Sequence, residues 1–292
     1  MNSSGKRLSN LIIRLLVSAI FIPIIFLFIV GGELWFFIPL LLVALIASME
    51  AFSIANRAFN LPHHWKIKIR YTVVVISVYL LLVKIYTDFI PGSLISLFFM
   101  VYLIIEIVGS SPQDFLKRIC SVIIPVIYVV WGFSYLILLR QLFGFSVFHP
   151  YSLGAYLVAM VFTVAWMSDS FGMLIGSFLG KHPLIPSISP HKTVEGSIGC
   201  ILGAVTGAIA IKFIQIIFSP ELTLPWIFIL LAGIVCGFTS QFGDLIESAM
   251  KRDANLGESS EIVPGHGGIL DKFDSVVFTA ISIYYLFYFL VG

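Results

Sequence analysis

Residues 197–217 read Ser-Ile-Gly-Cys-Ile-Leu-Gly-Ala-Val-Thr-Gly-Ala-Ile-Ala-Ile-Lys-Phe-Ile-Gln-Ile-Ile, a run of 21 in which Lys212 is the one charge. At 1.5 Å per residue a helix of this length spans about 30 Å, the thickness of a bilayer's hydrocarbon core. Working outward, eight further apolar segments follow the same logic, at 11–30, 34–54, 70–89, 92–108, 119–139, 153–175, 225–250 and 274–291. The pattern predicts an all-α, polytopic integral membrane protein of about nine transmembrane helices. About five of these fall in an N-terminal transmembrane region, 1–150. The C-terminal transmembrane region, 151–292, holds the polar motifs and the loops 176–196 and 251–270.

Composition agrees: 59% of residues are hydrophobic, 15% aromatic and 11% charged. A soluble domain carries about 25% charged residues. A net charge of +2 is too small to point to nucleic acid. Cys120, Cys200 and Cys236 lie far apart in or beside apolar runs, so they read as packing residues rather than metal ligands or a disulfide framework. Lys6 and Arg7 precede an apolar stretch from Leu11 to about Val30, longer than a signal-peptide core and followed by no Ala-x-Ala site. A retained first helix is expected. No internal repeat is visible, which weakens a transporter reading built on inverted repeats.

Charge placement gives an orientation. With nine spans, the N-terminus and the loops after the even-numbered helices share one side. That side holds fourteen of the 17 Lys and Arg residues, leaving Lys84, Arg140 and Lys212 toward the other. Lys84 and Lys212 lie within helices and can snorkel to an interface. The N-terminus is therefore expected in the cytoplasm and the C-terminus outside. Both long Gly- and Pro-containing loops then face the cytoplasm, where nucleotides are.

Acids inside or beside membrane helices are costly and are functional suspects. Glu50, Glu106, Asp169, Asp244 and Glu247 qualify, with Glu50 and Glu106 standing alone. Asp244, Glu247, Ser248 and Lys251 share one helical face by their spacing. Pro264-Gly265-His266-Gly267-Gly268 follows, then Asp271, Lys272 and Asp274 at the start of the last helix. Two acidic faces joined by a glycine-rich loop can converge on one site. Their hard oxygens suit Mg²⁺, which commonly bridges one or two carboxylates to substrate phosphates. Gly265, Gly267 and Gly268 let backbone N–H groups approach an anion at a helix N-terminus. His266 reads as a phosphate or loop ligand before a general base. The plainer alternative is a helix connection whose acids simply pair with Lys251, Arg252 and Lys272.

A second constellation runs from Asp169 through Lys181 and His182 to Ser189-Pro190-His191-Lys192-Thr193-Val194-Glu195-Gly196. Lys181 and Lys192 supply charge for phosphates, and Ser189 and Thr193 supply hydroxyls. Glu195 has the chemistry to hold a lysine, a ribose hydroxyl or a metal-bound water. Alone, the stretch also reads as a basic loop at lipid headgroups.

These residues resemble a known family. Ser248-x-x-Lys251-Arg252 through Pro264-Gly265-His266-Gly267-Gly268-x-x-Asp271-x-x-Asp274 is similar to the signature of the phosphatidate cytidylyltransferases. Gln241-x-Gly243-Asp244-Leu245-x-Glu247-Ser248 and the 180–196 stretch resemble that family's other blocks, so the likeness covers about 160–275. The resemblance implies cytidylyl transfer from CTP to phosphatidic acid at the inner (cytoplasmic) membrane, with the site facing the cytoplasm. It implies Mg²⁺ at Asp244 and Asp271, supported by Asp274 and Asp169, with a monovalent cation (K⁺) beside it. Lys192, Lys251 and Arg252 would hold phosphates. Phosphatidate would arrive through a groove opening sideways into the membrane, and symmetric contacts between helices would give a homodimer. The sequence departs from the family pattern at Gly257-Glu258, where Lys-Asp is usual, and at Lys272, where Arg is usual. Lys272 keeps the charge and loses the planar fork. The alternatives are a cytidylyltransferase acting on another lipid phosphate and, in a different class, an ion-coupled transporter.

Overall fold

In the computed structural model, six helices among the described residues are long and apolar enough to cross a membrane. They are α1 (Glu33–Ala58), α2 (Phe115–Gln141), α3 (Leu153–Leu179), α4 (Val194–Phe218), α5 (Trp226–Asp253) and α6 (Leu270–Leu290). The structure describes residues 20–31, 33–61, 67, 70–72, 74–79, 99–104, 106–107, 113–142, 152–260, 262 and 267–291. The six helices coincide with the apolar segments expected at 34–54, 119–139, 153–175, 197–217, 225–250 and 274–291. A shorter helix, Ile20–Val30, covers the second half of the first segment. Much of segments 70–89 and 92–108 lies outside the described residues. So do Lys6, Arg7, Arg14, Lys66, Lys68 and Lys84, on which the nine-span count and the orientation lean. The chain is a mostly helical, polytopic membrane protein.

Among the described residues, extended structure occurs between α3 and α4. Within loop 176–196, strands β1 (Pro183–Ile185) and β2 (Ser189–Thr193) form a two-stranded antiparallel ribbon. The Ile188 N–H closes its tip on the Ile185 carbonyl at 3.1 Å. Pro183, Pro186 and Pro190 keep this stretch out of the helix, because proline lacks the N–H and clashes with the preceding turn. The loop between α3 and α4 is thus a short hairpin.

Local chemistry sets the helix ends. α3 begins at Ser152, whose hydroxyl accepts from the Ala155 N–H, and α4 begins at Thr193, whose hydroxyl accepts from the Gly196 N–H. α5 ends where Asn255 takes a positive φ of 55°. The Leu256 and Asn255 N–H groups then bond to the carbonyls of Lys251 and Arg252. Inside α2, Pro125 cannot donate to the preceding turn, and the next six residues, Val126–Trp131, widen into a π-helical stretch.

The C-terminal helices pack closely because small residues line their seams. In a bilayer this packing, rather than exclusion of water, drives helix association. Gly199, Gly203 and Gly207 recur every fourth residue on α4 and lie against the Phe171, Met167 and Thr163 carbonyls of α3. Gly233 and Gly237 of α5 lie against Val205 and Ile201 of α4 in the same manner. Rising numbers on one helix meet falling numbers on the next, so α3, α4 and α5 alternate in direction. Gly243 against Asp274, and Thr239 bonded to Ser282, extend the alternation to α6. A Cβ at Gly203 would overlap the Met167 carbonyl oxygen. Gly203→Ala is therefore expected to cost about 1–3 kcal/mol, read as a lower melting temperature in detergent.

At one end of the bundle, Arg140 of α2 donates to the Ile29 carbonyl (3.1 Å) and to Ser152 Oγ (2.8 Å). There too Lys212 bends its amine to the Leu224 carbonyl, over the Trp226 ring. At the opposite end the C-terminal parts of α3 and α5 meet the N-terminal parts of α4 and α6. The polar motifs gather there.

Candidate active site

A cavity of about 590 Å³ opens between these four helix ends and the β-ribbon. Asp169, Gly172 and Gly176 of α3 form one wall, and Asp244, Glu247 and Lys251 of α5 another. Asp271, Lys272 and Asp274 at the start of α6 close the third side, and His191, Lys192 and Thr193 come from the ribbon. Asp244 and Asp271, 27 positions apart in sequence, thus line one cavity. Five carboxylates face three lysines on its wall.

α5 presents Asp244, Glu247 and Lys251 together because positions three, four and seven apart stack on one helix face. The helix is held in place by Tyr128, whose hydroxyl donates to the Gly243 carbonyl at 3.1 Å, and by a Ser168–Ser240 hydroxyl pair at 3.0 Å. Asp244 Oδ2 pairs with Lys192 Nζ at 2.7 Å, and Oδ1 accepts from Ser248 Oγ at 3.1 Å. This ion pair, with side chains 26% and 33% exposed, joins the β-ribbon to α5 and stays open to an incoming anion.

Lys251 is held more tightly. Its ammonium lies 2.5 Å from Glu247 Oε2 and 2.6 Å from Asp271 Oδ1. Glu247 is 1% exposed, and its Oε1 has no hydrogen-bond partner among the described residues. Asp271 Oδ2 accepts from the Ser259 N–H (3.1 Å), the Ser259 hydroxyl (2.7 Å) and the Gly268 N–H (2.7 Å). That oxygen is saturated, which leaves Oδ1 with room for a further partner. Asp274 is buried, accepts from the Ser275 N–H at 2.6 Å, and lies in the fields of Asp244, Asp169 and Glu247. Asp169 faces the cavity, 3.5 Å from Ser275 Oγ.

Several expected residues sit elsewhere. Glu195 folds away from the cavity: it accepts from the Lys181 and His182 N–H groups (3.1 and 3.3 Å) and meets His182 Nδ1 at 2.6 Å. Lys181, Ser189 and Glu195 are not on the cavity wall. Arg252 spans the Ile188 carbonyl and the Leu256 carbonyl, bracing the ribbon tip against the end of α5. Gly267 (φ +83°) and Gly268 lie behind Asp271. The anions their backbone admits here are the chain's own carboxylates, Asp271 and Glu50. Gly265 and His266 lie outside the described residues.

Two acids suspected from the sequence have partners that the sequence did not assign them. Glu50, read as a lone acid, reaches the start of α6 from α1. Glu247, read as part of the α5 face, anchors Lys251. The spacing of four to Lys251 was the signal for that ion pair.

Among the described residues, no three His, Cys, Asp or Glu side chains already form a ligand set for a metal. A magnesium ion needs only one or two protein carboxylates when waters and phosphates fill the rest. The acid excess on the wall fits a cation. The residues present therefore suit Mg²⁺.

Residues 12–290 match the cytidylyltransferase family. The chain is 39% identical over 163 residues to a phosphatidate cytidylyltransferase of Bacillus subtilis, covering 56% of each protein. It is 35% identical over 156 residues to a phosphatidate cytidylyltransferase of Staphylococcus saprophyticus, covering 53% of this chain and 54% of that protein. A longer match, 28% identical over 266 residues, is to the uncharacterized protein YnbB of Escherichia coli, covering 90% of this chain and 83% of that one. The chain spans about half the length of the Bacillus and Staphylococcus relatives it matches. With nearly its whole length matched, the chain belongs to the cytidylyltransferase family.

Proposed function

We propose that this chain transfers a cytidylyl group from CTP to phosphatidic acid, giving CDP-diacylglycerol and pyrophosphate for phospholipid synthesis. The observation that carries the reading is the cavity of lysines and carboxylates at one end of an apolar helix bundle, in a chain of this family. Both substrates are anions, and Lys192, Lys251 and Lys272 are the cations on the cavity wall. An oxygen of phosphatidate attacks the α-phosphorus of CTP. A new oxygen–phosphorus bond forms as the bond from the α-phosphorus to the bridging oxygen breaks, and pyrophosphate leaves with the electron pair. Phosphatidate is already ionised near neutral pH, so a positioned cation matters more than a strong base.

Lys251 is fixed by two carboxylates before substrate arrives, so its charge need not be ordered during the reaction. Lys192 is held by Asp244 at an open edge, where it can turn to a phosphate. Asp244, Asp274 and Asp169, with Oδ1 of Asp271, would hold Mg²⁺, with K⁺ beside it. When bound, the divalent ion would offset phosphate charge and align the α-phosphate. The same proposal places the protein in the inner membrane with this end of the bundle in the cytoplasm. It includes nine spans, the N-terminus inside, the C-terminus outside and a homodimer. Phosphatidate would enter sideways from the bilayer, where each buried methylene is favoured by about 0.8 kcal/mol. The cavity acids gather at one end instead of tracing a path across the bundle, which favours an enzyme over a transporter.

The test uses purified full chain in lipid nanodiscs with CTP and a panel of lipid phosphates, with and without Mg²⁺. CDP-diacylglycerol formed from phosphatidate, and only with the divalent ion, is the expected product. No lipid nucleotide at high enzyme load, or preference for a different lipid phosphate, would overturn the substrate assignment.

A further inference from the structure

Glu50 is a carboxylate that the cavity does not use. It lies on α1, is 4% exposed, and meets a segment more than 200 residues later in the chain. Its Oε1 accepts from Ser260 Oγ at 2.5 Å and from the Ile269 N–H at 3.1 Å. Its Oε2 accepts from the Leu270 N–H at 2.7 Å, with Ser259 Oγ at 3.2 Å. The residue at the N-cap of α6, Ile269, has no side-chain acceptor. Glu50 therefore fills that role from another helix, at the end where the helix dipole and the first N–H groups favour an anion.

Asp271 depends on the same short segment. Ser259 donates its N–H to Asp271 Oδ2, and its hydroxyl lies closer to that oxygen (2.7 Å) than to Glu50 (3.2 Å). Gly268 completes the set, and a Cβ there would stand 2.6 and 2.7 Å from the two Glu50 oxygens. Two carboxylates thus grip one loop, one from α1 and one from α6. Asp271 in turn holds Lys251 at the cavity. A chain of hydrogen bonds connects an acid on α1 to a cation on α5.

We propose that Glu50 is a positioning residue: acting through Ser259, Ser260 and the backbone of 268–270, it sets Asp271, and through it Lys251, for the transfer reaction. The inference rests on the cavity being the site of cytidylyl transfer. It assigns to α1 a direct part in shaping a site whose described lining residues come from the C-terminal region.

The test compares wild type with Glu50→Gln and Glu50→Asp as full chains in nanodiscs. Glutamine keeps the size but turns an amide donor toward groups that are themselves donors. Hydrogen exchange at 268–270 is read without reference to activity, and kcat and KM are read with CTP and phosphatidate. Glu50→Gln is expected to speed exchange at Ile269 and Leu270 by about tenfold or more. It is also expected to lower kcat by about 100-fold, the scale of misplacing a catalytic group. KM for phosphatidate should stay within about threefold of wild type. Glu50→Asp, which keeps the charge, should recover part of the kcat. Should Glu50→Gln fail to fold, Ser260→Ala removes a single donor and should move both readouts the same way by less. Unchanged exchange overturns the proposal. So does faster exchange with unchanged kcat, which would make Glu50 a cap alone. A wild-type chain that binds CTP and transfers nothing overturns the functional reading instead, while exchange still decides whether Glu50 holds the loop.

Discussion

Asp244→Asn should lower kcat/KM by about 1000-fold, equivalent to roughly 4 kcal/mol of transition-state stabilisation, while leaving the fold in place. The side chain stands on the cavity wall with Lys192 on one oxygen and Ser248 on the other. Asparagine keeps the shape and one acceptor, so the ribbon and α5 should stay together. What disappears is the charge. Lys192 loses the partner that holds it at the cavity edge, and the proposed Mg²⁺ site loses one of its four carboxylates. Because the pair is partly exposed, its contribution to stability is small, about 1 kcal/mol or less. The expected pattern is a near-normal melting temperature with transfer almost gone. Wild-type turnover in this variant would remove Asp244 from the site, and a large fall in melting temperature would make its role structural.

The second large effect is expected at Gly268. A Cβ there would overlap Ser259 Oγ and crowd both oxygens of Glu50. No rotamer of alanine relieves this, since the clash comes from the first carbon. Gly268→Ala should push Ser259 and Glu50 apart and leave the buried Glu50 and the part-buried Asp271 carboxylates short of donors. Losing partners from a buried charge costs about 3 kcal/mol or more. That corresponds to a fall of about 6–12 °C in melting temperature. Turnover should drop even below the melting transition, because Asp271 loses the Ser259 and Gly268 donors together. Differential scanning fluorimetry in detergent, with a transfer assay on the same sample, checks both. A variant that melts and turns over like wild type would show that the Glu50–Ser259–Asp271 arrangement does not govern the site.

The two variants separate what the sequence exposes from what it hides. The six described membrane helices were legible because lipid demands about 20 apolar residues in a row, and that demand is written directly in hydropathy. The grouping of Asp244, Glu247 and Lys251 was legible because helical spacing is local. The meeting of α5 and α6 at one cavity followed from their antiparallel alternation. The β-ribbon was not legible: its strands are three and five residues long, rich in proline, and leave no periodic signal. Glu50 was hidden for a different reason. Its partners lie over 200 positions away, and nothing near Glu50 in the chain announces them. The Gly267-Gly268 pair was recognised as a place where backbone can approach an anion. The structure fills that place with the chain's own Asp271 and Glu50. Glu195 was likewise visible as an acid in a polar motif, yet three donors from Lys181 and His182 turn it into a brace for the ribbon. Side-chain chemistry reads well from sequence where its partners are local, and poorly where folding brings them from afar.

The most direct measurement follows the phosphorus atoms of CTP. Purified chain in nanodiscs containing phosphatidate is given CTP labelled at the α-phosphate in one sample and at the γ-phosphate in the other. Label from the α-position should appear in the lipid fraction and label from the γ-position in free pyrophosphate, in equal amounts. Label reaching the lipid from the γ-position, or reaching no lipid while CTP is bound, would contradict cytidylyl transfer at this cavity.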